Sequence, residues 1–216
     1  MSIYPPVRND LVRLLSQPRL AEYKTAVGGK LDSALRLYAW NLQISAAFFE
    51  SIHYLEVALR NVMHEALARW VATLPGAASG PWYRVSQVPL TQQSRRRVTL
   101  AIGRATDGGR PELQGRVIAE LSFGFWWSLL AATYNRTLWQ PCLQHAFPAA
   151  RRGRLHTSLE QVKLLRNRIA HHEPIHGRNL AGDYRTLLDT AEYVSSRLPW
   201  WIDTTSRVPA LLDQRP

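Results

Sequence analysis

Residues 31–72 have the sequence LDSALRLYAWNLQISAAFFESIHYLEVALRNVMHEALARWVA. Apolar residues recur at spacings of three and four throughout this segment, and no proline follows until Pro75. That period places the apolar side chains on one face of an α-helix. The segment therefore predicts one long helix, or two helices separated by a slight break.

Helical periodicity also marks the flanking parts of the chain. It predicts a polar, arginine-rich helix over about residues 91–105 and two closing helices over about 156–172 and 180–198, the last ended by Pro199. No alternation of the kind typical of β-strands lies between turn signals. The pattern predicts an all-α fold.

Turn-forming residues divide these helices. Residues 73–89 contain three prolines and two glycines, which predicts a loop. Pro111 fits the first turn of a helix that leads into the aromatic run ELSFGFW, where Gly124 marks a bend. Beyond Thr205 we expect a flexible tail, residues 206–216.

Length and composition fit a single domain over residues 1–205, because the chain has 216 residues of which 46% are hydrophobic and 20% charged. Its one cysteine, Cys142, excludes an intramolecular disulfide framework. The N-terminal residues include acid and proline where a secretory signal is apolar, and the longest apolar run, residues 121–134, is shorter than the ~20 residues of a membrane-spanning helix. We therefore expect a cytoplasmic protein with no membrane partner.

The chain carries a net charge of +11, and all but three of its 27 basic residues are arginine. Arginine binds phosphate oxygens through two parallel hydrogen bonds, so a polyanion is the expected partner. Seven basic residues oppose only Glu160 and Glu173 between positions 151 and 178, which favours an RNA-facing surface there. The runs Arg95–Arg97, with Arg104, and Arg151–Arg154 have two interpretations, an RNA grip or a solvated face.

Arg166 occupies an unusual place on the predicted helix over residues 156–172. At 100° per residue it falls about 40° from the centre of the stripe formed by the apolar residues of that helix. An arginine there is desolvated, which is costly unless a carboxylate, a ligand or a polar interface receives it. Glu56 on the long helix is the expected partner, and Arg60, one turn later, belongs either to the same network or to a simple pair within the helix.

The end of the same helix carries two histidines. Pro174 disfavours helical angles at Glu173, so the helix should end near His172, with His171 and His172 in its last turn. The exposed carbonyls there favour imidazolium, which suits a general acid or base. Arg166 and His171 lie about 140° apart on an ideal helix, so they converge only if the last turn distorts or a second copy completes the site.

The segment Arg166-Asn167-Arg168-Ile169-Ala170-His171 fits the pattern of the HEPN superfamily of helical ribonucleases, an arginine, a polar residue, three variable residues and a histidine. The longer phrase LRNRIAHHEPI resembles the abortive-infection (Abi-like) branch. Two further segments, EVALRN at 56–61 and ELSFGFW at 120–126, resemble motifs of that branch and occur in the same order. The three motifs cover roughly residues 31–195.

This resemblance implies an HEPN-like helical bundle with additional helices, its core helices at about 31–72 and 155–198, paired as a two-fold dimer. It implies a metal-independent endoribonuclease without a cofactor, in which a base activates the ribose 2′-hydroxyl for attack on phosphorus. Arg166 would bind phosphate, His171 would transfer the proton, and Asn167 would orient the histidine or bind phosphate. Supporting or RNA-binding roles would fall to Glu56, Arg60, Lys163, Arg168 and His172. A toxin or phage-defence effector, restrained by an antitoxin protein or a regulatory RNA, is the expected biological setting.

Other functions remain open at this point. The chain could be a non-catalytic RNA-binding module that holds a small structured RNA, or an interaction protein whose HEPN-like dimer is structural. A metal site is disfavoured, although four of the seven histidines fall between His156 and His176. His171 and His172 point about 100° apart, no HExxH motif occurs, and Cys142 has no partner for a zinc knuckle.

Overall fold

The computed structural model describes residues 4–76 and 80–216, and within these ranges every regular element is helical. The all-α prediction is therefore confirmed. The α-helices are α1 Pro5–Leu15, α2 Gln17–Ala26, α3 Leu31–Val71, α4 Gln92–Ala105, α5 Gln114–Glu120, α6 Phe123–Ser128, α7 Gln144–Ala146, α8 Arg152–Ala170, α9 Leu180–Val194, α10 Leu198–Thr205 and α11 Val208–Asp213. A π-helix, Asn135–Leu143, leads directly into α7.

The long helix α3 is unbroken over 41 residues and forms the axis of the fold. It contains neither glycine nor proline, so nothing in its sequence interrupts the backbone hydrogen bonds. Helices α2, α6, α8, α9 and α11 all pack against it. Phe48, Ile52 and Leu55 are completely buried at its centre, each contributing about 1.5–3 kcal/mol of apolar burial. None of the helices described, α3 included, is both long and apolar enough to cross a bilayer.

The segment predicted as a loop contributes to the core. Within residues 73–89, of which 77–79 lie outside the described ranges, Trp82–Arg84 forms a 3-10 turn. The Trp82 ring is buried against Phe125 and Trp126. Its indole Nε1 donates a 2.9 Å hydrogen bond to Nδ1 of His64 on α3. Proline and glycine therefore located the turns correctly but did not reveal the aromatic anchor between them.

Several helix boundaries differ from the sequence prediction. Pro111, expected in the first turn of a helix, lies before α5, because Leu113 is extended and α5 begins only at Gln114. The bend expected at Gly124 lies at Leu121 and Ser122, both in extended conformation, and Gly124 sits inside α6. Extended angles at two successive residues end the helical hydrogen-bond pattern there and separate α5 from α6. Pro199 does not end a helix; α9 stops at Val194, and Pro199 lies in the first turn of α10, where its missing N–H has no cost.

The prediction of a flexible tail at residues 206–216 is wrong, because residues 208–213 form helix α11. Val208 and Leu211 on α11 are buried against the rest of the fold. The indole Nε1 of Trp40 donates a 2.7 Å hydrogen bond to the carbonyl oxygen of Leu211, and Arg207 pairs with Glu50 at 2.7 Å. Val208 and Leu211 lie three residues apart on one face of this short helix, and the segment packs against the first half of α3.

The Trp82–His64 hydrogen bond predicts a dependence of stability on pH. Burial lowers the pKa of His64, and burial also lowers the pKa of His156 and of His176. Between the lowered folded pKa and the unfolded value of about 6.5, the unfolded chain binds more protons than the folded one. The stability that the neutral histidines contribute is thus complete above the unfolded pKa of about 6.5 and is lost as the pH falls through the folded pKa.

We expect the urea midpoint of unfolding to fall as the pH is lowered from about 7.5 to about 5.5. His64→Asn, whose amide oxygen still accepts from Trp82, should make that fall shallower. His145→Asn, at an exposed histidine, is the matched control and should leave the slope as in the wild type. Identical slopes for all three proteins would contradict the role given to His64.

Candidate functional site

Helices α3 and α8 pack antiparallel and bring two of the three motif segments together, EVALRN on α3 and the arginine–histidine segment at the end of α8. Arg166, near the end of α8, meets Phe49 and Glu56 in the middle of α3. The chain that follows α8 meets α3 further towards its start, at Asn41. The end of α8 and the first half of α3 thus form one surface.

Arg166 pairs with Glu56, as the sequence predicts. Its Nε lies 3.8 Å from Glu56 Oε2, and its guanidinium carbon lies 5.9 Å from the centre of the Phe49 ring. Its side chain is 31% exposed, so Arg166 sits at the edge of the apolar stripe rather than inside it, because a long side chain lets its charged end reach water. The Nε atom is occluded and has no hydrogen-bond partner among the described residues.

Helix α8 ends at Ala170, two residues earlier than predicted, so the two histidines lie just beyond the helix. His171 is the C-cap, and His172 adopts a left-handed conformation with φ of +58°. The amide of Glu173 bonds to the Arg168 carbonyl at 2.8 Å, and that of His172 to the Ile169 carbonyl at 3.0 Å. This pair of bonds is a Schellman motif, which normally carries glycine at the position of His172.

Side chains from α8 and α2 hold the turn that follows α8, which we call the histidine turn, residues 171–176. Arg168 donates to the carbonyl of Pro174 at 2.9 Å and lies 3.4 Å from the Glu173 carboxylate. Arg19 on α2 donates to the carbonyl of His172. Arg168, expected to support the site or bind RNA, therefore secures the backbone of the turn.

The imidazole of His171 and the side chain of Asn167 are exposed. They lie four residues apart on the same side of the helix end. No hydrogen bond joins either of them to Arg166 in the described parts of the chain. Within one copy, Arg166 and His171 are thus presented on neighbouring but separate parts of the surface.

A groove of about 460 Å³ separates α3 from the end of α8 beside Arg166. Leu42, Phe49 and Ile169 form its apolar walls, and His172 lies at its rim. Leu42 is 47% and Phe49 43% exposed. Exposed apolar side chains grouped in this way are typical of a binding surface.

Two other predicted supporting residues have different surroundings. Lys163 points onto Trp127, with Nζ 3.2 Å from the ring centre, and burial lowers the pKa of its ammonium. This cation–π contact holds Lys163 against the protein. Arg60 makes no ion pair with Glu56 within the described ranges, and its Nε is occluded without a partner.

Several arginines of the basic runs bind the protein's own backbone. Arg95 donates to the Val88 carbonyl at 2.8 Å, Arg97 to that of Gly124 at 3.4 Å, and Arg152 to that of Leu130 at 2.7 Å. Arg104 pairs with Glu120 at 2.8 Å. These side chains keep their charge but use part of their hydrogen-bonding fork internally, so the runs are not simple RNA grips.

The histidines between 156 and 176 are dispersed. His156 stacks on Trp127, and His176 is buried against Tyr23 with ring centres 4.7 Å apart. Cys142 is buried, which raises the pKa of its thiol to about 12. Across residues 4–76 and 80–216, no three His, Cys, Asp or Glu side chains come together in a way that would hold a metal ion.

No family model, curated protein or solved structure matches the chain. The resemblance to HEPN ribonucleases therefore rests on the sequence motifs described above. Two residues of this surface were missed from the sequence. Phe49 lies seven residues after Leu42, so the helical period places both on the same side of α3, and this spacing could have identified the pair. Asn41 is a polar residue in an otherwise apolar row.

The left-handed residue gives a stability prediction. A side chain at this conformation costs about 1 kcal/mol relative to glycine, although histidine tolerates it better than most residues. His172→Gly should therefore raise the free energy of unfolding by about 0.5–1 kcal/mol, measured by urea titration. His171→Gly, at a residue with negative φ, is the matched control and should destabilise. A loss of stability in His172→Gly would contradict this description of the turn.

Proposed function

We propose that this protein is a metal-independent endoribonuclease of the HEPN type. One observation carries the proposal: the motif arginine, Arg166, is partly exposed and held by Glu56 and Phe49 next to the helix end that presents His171. A purely structural role for the Arg166–Glu56 pair would not account for the exposed histidine and the groove beside it. The net charge of +11 supports an RNA substrate.

The proposed chemistry assigns one role to each group. The imidazole of His171 takes the proton from the ribose 2′-hydroxyl, and the oxygen attacks the adjacent phosphorus. Arg166 stabilises the charge that develops on the phosphoryl oxygens. The P–O5′ bond breaks, the imidazolium form of His171 gives its proton to the departing 5′-oxygen, and a 2′,3′-cyclic phosphate remains. Glu56 orients Arg166, and Asn167 contacts the phosphate or the imidazole.

A second copy of the chain completes the site in this proposal. Arg166 and His171 are not joined within one copy, and the exposed Leu42 and Phe49 flank Arg166 as an apolar surface for a two-fold partner. Mixing Arg166→Ala with His171→Ala tests this arrangement. If the site is shared, each mixed dimer regains one intact site, and activity returns to roughly a quarter of the wild-type level. No recovery after subunit exchange would place both groups in the same copy.

In the cell, we place this activity in the cytoplasm, as a toxin or phage-defence effector restrained by an antitoxin protein or a regulatory RNA. Induced expression of the wild type should then arrest growth of a bacterial host. Arg166→Ala, expressed at the same level, should leave growth unaffected.

The deciding test of the activity uses purified protein and single-stranded RNA in the presence of EDTA. Cleavage products ending in 2′,3′-cyclic phosphate are expected. RNA that co-purifies with the protein, raising the ratio of absorbance at 260 and 280 nm, and is recovered uncut would favour a binding module without turnover.

A further inference from the structure

Asn41 is a buried polar residue with an unusual position. It lies on α3, is only 3% exposed, and is surrounded along the helix by the apolar residues Leu37, Trp40 and Ile44. Asparagine is a poor helix former, and burying an amide without partners is costly. Neither helix formation nor apolar packing explains an asparagine at this position, so a polar contact with another segment should explain it.

The reason is the backbone of the histidine turn. Asn41 Oδ1 accepts hydrogen bonds from the amides of Ile175, at 2.9 Å, and His176, at 3.0 Å. An amide oxygen has two lone pairs, so one side chain satisfies both donors. Ile175 and His176 are themselves buried, so their amides need a partner within the protein, and Asn41 provides it.

These two bonds fix the far end of the turn. On its near side, α8 ends in the Schellman motif that sets the backbone of His171 and His172. On its far side, Asn41 ties Ile175 and His176 to α3, the same helix that carries Glu56. The distance between the arginine end and the histidine end of the surface is therefore set by one helix, through Glu56 at one point and Asn41 at the other.

We infer that Asn41 is the positioning residue that holds the histidine turn in register with Arg166. This inference rests on the proposed function for its catalytic consequence, since His171 matters only if it transfers a proton. Its structural content, that Asn41 controls the order of the turn, stands independently.

Amide hydrogen exchange tests the structural content directly. Asn41→Leu keeps the volume and removes the acceptor, so the amides of Ile175 and His176 should exchange roughly tenfold faster or more, relative to amides in the centre of α3. Asn41→Asp keeps an oxygen acceptor and should restore protection. Thr190→Val is the matched control, because Thr190 is fully buried and its hydroxyl bonds only within α9. If Asn41→Leu folds poorly, Asn41→Ala takes its place.

Kinetics test the positioning role. In Asn41→Leu we expect kcat for RNA cleavage to fall at least roughly tenfold with KM little changed, and Asn41→Asp to recover most of the loss. Equal protection of both amides in wild type and Asn41→Leu overturns the inference, as does a kcat that is unaffected although protection is lost. Absence of cleavage in the wild type overturns the proposed function instead, and leaves the exchange result standing.

Discussion

Replacing Arg166 by alanine is expected to lower the rate of RNA cleavage by roughly a hundredfold or more, because a donor aimed at the developing phosphoryl charge contributes that much in enzymes generally. The protein should remain folded. The ion pair with Glu56 is loose at 3.8 Å and both side chains are partly exposed, so its loss costs about 1 kcal/mol or less. His171→Ala should lose activity to a similar extent, since it removes the proposed base.

Two matched variants separate chemistry from charge. Arg166→Lys keeps the positive charge but loses the planar fork, so its activity should lie between those of wild type and Arg166→Ala. Arg185→Ala removes an exposed arginine from α9, outside the basic segment 151–178, and should retain most activity. Wild-type rates in Arg166→Ala would show that Arg166 is a structural residue only.

Removing residues 207–216 is expected to lower the free energy of unfolding by about 3–6 kcal/mol, the second large effect. The truncation exposes the pocket filled by Val208 and Leu211, and burial of two such side chains contributes about that amount. It also leaves the Trp40 indole N–H without its 2.7 Å acceptor. Urea titration of the truncated and complete chains measures the difference.

A shorter truncation provides the control for this experiment. Ending the chain after Gln214 keeps α11 and removes the final proline and two contacts of Arg215. These contacts are its position over Trp40, 5.5 Å from the ring centre, and its 3.4 Å backbone hydrogen bond to the Leu212 carbonyl. Its stability should stay within about 1 kcal/mol of the complete chain. Equal midpoints for the complete chain and the longer truncation would restore the flexible tail that the sequence predicted.

The sequence predicted the long elements well because periodicity accumulates over many residues. Forty-one residues of α3 and nineteen of α8 leave little doubt about the period of their apolar side chains. Glu56 followed from the same periodicity, since it flanks the stripe that faces Arg166. Short elements such as α11, with six residues, carry too few repeats for a period to be recognised.

Tertiary contacts account for what the sequence did not predict. Nothing local in the sequence indicates that Asn41 accepts hydrogen bonds from amides 134 and 135 residues away. The sequence left two interpretations for the arginines of α4, an RNA grip or a solvated face, whereas Arg95 and Arg97 reach carbonyl groups of neighbouring segments. Such contacts leave the net charge unchanged, but they reduce the number of arginines that can bind phosphate through two hydrogen bonds.

The measurement that tests the central claim most directly compares wild type with the double variant Arg166→Ala, His171→Ala in one assay. Both proteins are incubated with the same end-labelled RNA in EDTA, and the product termini are analysed. We predict 2′,3′-cyclic phosphate ends from the wild type and intact RNA from the double variant. Cleavage by the double variant at the wild-type rate would contradict the site described here.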